Sequence, residues 1–166
     1  MTQNIYEIFQ EIFPELKQQD LPDDLTEFTT FRDWLNQDHS FIQYVEIKEY
    51  EDNGINESTV FQQKQVDAEA LNQAIENEID IFFESFEYED EDDDADDIEV
   101  QQQKVEEILF DQIKFFAEQK QLSLLVIFRE NPYWLVVPTQ DELQLQRIVD
   151  VFNQSFKRDD LTMGMY

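Results

Sequence analysis

Residues 122–129, LSLLVIFR, narrow the possible folds more than any other stretch. Side chains alternate between the two faces of a strand, and here both sets are apolar. A strand of this kind belongs inside a sheet that is covered on each side, because a sheet with one wet face shows apolar–polar alternation instead. Asn131-Pro132 then turns the chain, and residues 133–138 (YWLVVP) return as an antiparallel partner that Pro138 ends. Tyr133 and Trp134 fall on opposite faces of that strand, so one is expected in the core and the other exposed.

Helices have to supply the cover. Asn4 caps a first one, with Glu7 at the capping-box position. Ile5, Ile8, Phe9, Ile12, Phe13 and Leu16 form its apolar stripe, and Pro14 kinks or ends it near Phe13. A second helical stretch is built on Leu25, Phe28, Phe31, Trp34 and Leu35, with Asp24 and Thr30 as alternative caps. Residues 41–50 (FIQYVEIKEY) are β-rich and lead to Asn53-Gly54, a pair that tolerates positive φ and signals a hairpin. With these as the two loop residues, Ile47 faces Val60, Phe41 faces Val66 and Glu46 faces Phe61. Residues 58–66 then form a polar edge strand; a helix starting at Ser58 is the competing reading.

Asp67 caps a long helix with Leu71, Ile75, Ile79, Phe82, Phe83 and Phe86 on its buried stripe. A helix over about residues 97–119 returns with Val105, Ile108, Leu109, Ile113 and Phe116 inward, and with Asp96 and Asp97 where the helix dipole favours them. Thr139 and Glu142 form a capping box for a last helix whose core stripe is Leu145, Ile148, Val149, Phe152 and Phe156. Lys157 and Arg158 lie in its final turn. The expected order is ααββααββα. This is an α+β fold in one domain, 1–158: a four-stranded antiparallel sheet of two hairpins flanked by about five helices, followed by a flexible tail over 159–166.

Charge is distributed unevenly over this frame. The 166 residues hold 40 acids against 11 Lys and Arg, a formal net charge of −29, yet 41% of them are hydrophobic and fifteen are Phe. That apolar content argues for a folded acidic domain and against disorder. From Gln65 to Gln103 there are sixteen acids and no cation, and ten of the thirteen residues of EYEDEDDDADDIE (87–99) are carboxylates. The long helix leads into this run with Glu76, Asp80 and Glu84 at four-residue spacing, about 5–6 Å apart on one face. The acidic loop, 87–97, is thus the apex of a helical hairpin with a continuous negative flank.

Several chemistries lack their residues. With no Cys there are no disulfides, thiolate nucleophiles or Cys-ligated metals. The two glycines, Gly54 and Gly164, cannot build a phosphate cradle. The single His, His39, belongs to a helix–strand turn, and its neighbours Asp38 and Ser40 do not converge on it as a triad does. The acidic run fails the EF-hand pattern in either register: the sixth and twelfth positions are Asp97 and Gln103 from Asp92, or Ala95 and Gln101 from Asp90. No metal, no cofactor and no catalysis is expected. The amphipathic start is not a signal peptide, and no apolar run reaches the ~20 residues of a membrane span. A soluble cytoplasmic protein is expected.

So large a negative charge disfavours nucleic acid and anionic membrane as partners and favours a basic protein. The candidate binding residues are Glu76, Asp80, Glu84, Glu87, Tyr88, Glu89, Asp90, Glu91, Asp92, Asp93 and Asp94, with Tyr88 as an aromatic anchor amid carboxylates. In charge, size and architecture the chain resembles, at the level of class, bacterial immunity proteins that neutralise basic nuclease toxins. That resemblance implies an antitoxin that covers a positively charged surface. The carboxylate spacing also resembles that of backbone phosphates, which suggests a DNA mimic of the anti-restriction or anti-CRISPR type.

Overall fold

The computed structural model describes residues 4–46, 53–87, 95–129, 131–159 and 161–166, without the side chains of 86, 87, 95–98 and 158. It is an α+β fold, with six α-helices and one four-stranded antiparallel sheet among the described residues. The elements run α1 (Ile5–Ile12), α2 (Phe28–Leu35), β1 (Gln43–Tyr44), α3 (Thr59–Gln63), α4 (Ala68–Glu87), α5 (Ala95–Glu118), β2 (Ser123–Phe128), β3 (Tyr133–Val137), α6 (Glu142–Ser155) and β4 (Thr162–Met165). Among the described residues, no helix is long and apolar enough to cross a membrane.

The apolar strand lies inside the sheet, as expected. The spatial order is β1-β3-β2-β4, so β2 and β3 are the two central strands. They form a hairpin, with Leu125 opposite Leu135 and Ile127 opposite Tyr133. All five residues of β3 are buried, as are Leu124 to Ile127 of β2, so both faces are covered. Tyr133 and Trp134 are therefore both in the core, against the expectation that one is exposed. The Trp134 indole N–H donates to the Asn53 carbonyl at 2.8 Å and its ring packs on Phe61 of α3, while the Tyr133 ring meets Phe28 of α2 edge-on. On the Tyr133 side, aromatic rings from three helices interlock: Tyr6 and Phe9 of α1, Phe28, Phe31 and Trp34 of α2, and Phe152 in the last turn of α6.

The other two strands differ from the expected pair. Residues 58–66 are not an edge strand: Ser58 accepts from the Phe61 amide and caps the short helix α3. Val60 and Phe61 are consecutive and both buried, which one turn of helix allows and a half-exposed strand does not. The hairpin register of Val60 and Phe61 with residues 46 and 47 is thereby lost; residues 47–52 lie outside the described residues. Gly54 does take a positive φ, +81°, but the turn leads into α3. Of the described residues 41–46, Gln43 and Tyr44 join the sheet, opposite Trp134 and Tyr133. The fourth strand is the segment expected as a tail. Thr162 to Met165 pair with β2, Met163 is buried, and Asn153 of α6 holds the Met163 amide and carbonyl.

Helix ends show smaller differences. Asn4 caps α1 and exchanges hydrogen bonds with Glu7, and α1 stops just before Pro14, which opens a 3₁₀ turn. Neither Asp24 nor Thr30 caps α2; the Phe28 amide donates to Asp159, 131 residues away. Asp141, not Thr139, caps α6, and Thr139 accepts from the Asp141 amide. Lys157 follows α6 in a 3₁₀ turn instead of lying in its last helical turn.

Candidate functional site

The acidic flank stands on a helical hairpin. Asp67 accepts from the Ala70 amide and starts α4. Leu71, Ile75 and Ile79 are buried along it, with Phe82 and Phe83 half-buried. α5 packs against α4 and buries Val105, Ile108, Leu109, Phe110, Ile113 and Ala117. At its base the hairpin is tied to the rest of the chain by the Asn53 side chain, which donates to Asn72 at 3.1 Å. Phe110 packs on Tyr166, which follows β4.

This frame places Glu76, Asp80 and Glu84 on one solvent-exposed face of α4. None of the three has an ion-pair or hydrogen-bond partner among the described residues. α4 ends at Glu87, three residues on from Glu84; the Glu87 side chain lies outside those described. Tyr88, Glu89, Asp90, Glu91, Asp92, Asp93 and Asp94, the acidic run itself, lie outside the described residues. α5 begins at Ala95, so Asp96 and Asp97 fall in its first turn.

Cations are used elsewhere. Lys104 pairs with Glu107 at 3.6 Å and Lys114 with Glu118 at 4.0 Å, both along α5 and both half-exposed or more. Such pairs add little stability, but they offset acids on α5, while Glu76, Asp80 and Glu84 of α4 have no cation beside them among the described residues. Burial raises the pKa of Glu106 on α5. The Tyr166 hydroxyl donates to Asp111 at 2.9 Å; burial first, and then the Asp111 carboxylate, push its pKa upward.

Two residues of the flank escaped the sequence reading. Ile81 is 59% exposed and lies within about two turns of the end of α4, and Val100 is 52% exposed and lies within about two turns of the start of α5. Ile81 is two residues beyond Ile79 and so off the buried stripe, which is the signal that marks it. An apolar side chain amid carboxylates is the pattern that Tyr88 suggests in the sequence. His39 is half-buried with its ring 5.1 Å from that of Phe41, consistent with a turn residue. No group of three or more His, Asp or Glu side chains could hold a metal ion among the described residues.

No protein-family model, no curated protein and no solved structure matches the chain.

Proposed function

We propose that this chain is an acidic inhibitory binding protein of the immunity or antitoxin type. It neutralises a basic, nuclease-like toxin in the cytoplasm by covering its positively charged surface, and it acts by binding and not by catalysis. The observation that carries this reading is the cation-free row Glu76, Asp80 and Glu84, exposed along a helix whose other side is fixed in the core. A rigid row of like charges meets a basic surface without first having to be ordered, which lowers the entropic cost of association. Its field steers encounter, raising association rates toward about 10⁸–10⁹ M⁻¹s⁻¹ at low salt. Ile81 and Val100 add the apolar contact that charges alone do not provide.

A DNA mimic is the second reading, and the regular four-residue spacing of the row favours it. The two differ in breadth of target. Inhibition of a panel of basic nucleases and DNA-binding proteins separates them: one blocked active site supports immunity, and competition with DNA on several unrelated proteins supports mimicry. For the protein that is inhibited, stopped-flow association is measured against salt with wild type and with Asp90, Asp92, Asp93 and Asp94 changed to Asn. The same measurement is made with E76Q, D80N and E84Q combined. Neutralisation is expected to slow association and flatten its salt dependence. Rates that stay the same at every salt concentration would remove the electrostatic basis of both readings.

A further inference from the structure

In a chain with net charge −29, two of the few cationic side chains converge on one tyrosine. Arg32 of α2 and Arg129 just after β2 have their guanidinium carbons 6.0 and 5.8 Å from the Tyr133 ring centroid. With Asn36, Ile42 and Tyr44 they line an open cleft of about 560 Å³ at the end of the sheet. Cation–π attraction accounts for the guanidiniums resting there. It does not account for their unused hydrogen-bond donors.

A guanidinium has five N–H donors and no acceptor. Arg32 gives Nε and one terminal nitrogen to Asp33 and the other terminal nitrogen to the Tyr133 hydroxyl at 2.9 Å. N–H groups remain over. Tyr133 accepts from Arg32 through its oxygen and makes no further side-chain hydrogen bond among the described residues, so its own O–H is available. Arg129 has neither an ion pair nor a hydrogen bond among the described residues. Asn36 offers no competing acceptor, because its carbonyl takes the Phe41 and Ile42 amides and its amide donates to the Ile42 carbonyl. Asp33 accepts from two of the Arg32 nitrogens, and the donors left over on Arg32, Arg129 and Tyr133 meet no acceptor among the described residues. Tyr44, 47% exposed and 5.4 Å from Tyr133 ring to ring, adds an aromatic wall.

We propose that this cleft is a binding site for an oxyanion, the phosphate or carboxylate group of a small molecule, held between Arg129, Arg32 and the Tyr133 hydroxyl. Forked guanidinium donors match both groups. The site lies on α2 and the sheet, apart from the α4 row, so it stands or falls separately from the partner-binding role.

The test is an NMR titration of the full chain with inorganic phosphate and, separately, with acetate. Saturable one-to-one shifts at Arg129, Tyr133 and Tyr44 are expected, and the tighter of the two anions identifies the class. Arg129→Gln is expected to weaken binding roughly ten- to a hundredfold, the usual effect of losing a hydrogen bond to a charged group. Arg129→Lys, which keeps the charge but not the fork, should weaken it less. Lys120→Gln, away from the cleft, should leave it unchanged, and a melting curve establishes that each variant is folded. No saturable shift with either anion would overturn the proposal. So would equal weakening by the Arg129→Gln and Lys120→Gln variants.

Discussion

Replacing Gly54 with alanine should be among the most damaging single-methyl additions to this protein, and the cost has two separable parts. At φ +81° the residue sits in the left-handed region, where a Cβ crowds the following carbonyl at about 1–2 kcal/mol. The new Cβ would also lie 2.7 Å from Gln43 Cβ and 2.9 Å from Gln43 Oε1. Gln43 cannot step aside freely. It is buried, its amide donates to the Ser40 carbonyl at 2.7 Å, its oxygen accepts from the Ser40 hydroxyl, and its backbone pairs with Trp134. Overpacking of this kind costs about 1–3 kcal/mol more. The sum, roughly 2–5 kcal/mol, is a large share of a typical domain's stability.

Gly164→Ala supplies the comparison. Its φ is not in the left-handed region, and its Cβ would meet the tip of the Phe128 ring at 2.9 Å. Phe128 is 45% exposed and can swing outward, so less than about 1 kcal/mol is expected. Gly54→Asn separates the two parts at the first site, because asparagine tolerates positive φ yet still carries the Cβ. Urea unfolding followed by tryptophan fluorescence measures all three, and a double-mutant cycle with Gln43→Gly should show coupling of about 1 kcal/mol or more. If the Gly54→Ala and Gly164→Ala variants unfold at the same urea concentration with the same slope, the packing of the 53–57 turn against β1 has been misread.

Three further changes have expected outcomes. Trp134→Phe removes the indole donor and leaves the buried Asn53 carbonyl without it; about 2–4 kcal/mol should be lost in chemical denaturation, and a loss under about 1 kcal/mol would deny that hydrogen bond its role. For Glu106, burial sets the folded pKa above the unfolded one, so its contribution is fully present below the unfolded pKa and is lost as pH rises through the folded value. Glu106→Gln should therefore stabilise the fold at neutral pH, by about the 0.5–2 kcal/mol usual for an improved charge, with the gain shrinking toward acid pH; an equal gain at both in thermal unfolding would contradict this. Asp80→Lys turns two repulsions, with Glu76 and Glu84, into two attractions, worth roughly 0.8–2 kcal/mol in thermal unfolding, and a destabilised variant would mean that the row is compensated in some other way.

What could be read from the sequence was local. The row Glu76, Asp80 and Glu84 follows from helical spacing alone, and the Asn4, Ser58 and Asp67 caps act within three residues of themselves. The central position of β2 was legible because burial on both faces leaves no alternation. The failures concern pairing at a distance. Residues 58–66 have strand-like composition, but the choice between strand and helix depends on whether Val60 and Phe61 bury together, and Trp134, on which Phe61 packs, lies far along the chain on β3. The segment 162–165 is too short to show a period; its place is set by β2, whose remaining edge needs a partner, and by Asn153. The contact of Arg32 with Tyr133 spans 101 residues, and nothing near either residue announces it. Of the candidate site, the α4 row could be placed, whereas its apolar neighbours Ile81 and Val100 emerged only once the buried faces of both helices were fixed.

The magnitudes explain how such a row can persist. Glu76–Asp80 and Asp80–Glu84 each oppose the helix by about 0.2–0.5 kcal/mol. On the opposite side Leu71, Ile75 and Ile79 are essentially inaccessible, and burying an aliphatic side chain of this size contributes about 1.5–3 kcal/mol. Even after allowance for residual burial in the unfolded chain, the stripe outweighs the row several-fold. The fold therefore neither requires these carboxylates nor is endangered by them. A lysine at position 80 would have been more stable, with Glu76 four residues before it in the favourable orientation. Stability alone thus gives no reason for the unbroken row, whereas association with a cationic surface does. The energy that holds the row in place comes from apolar contacts that salt does not screen, while the field it projects is screened within about 10 Å at 0.1 M salt. Raising salt should for that reason weaken the proposed association with a basic partner much more than it alters the hairpin.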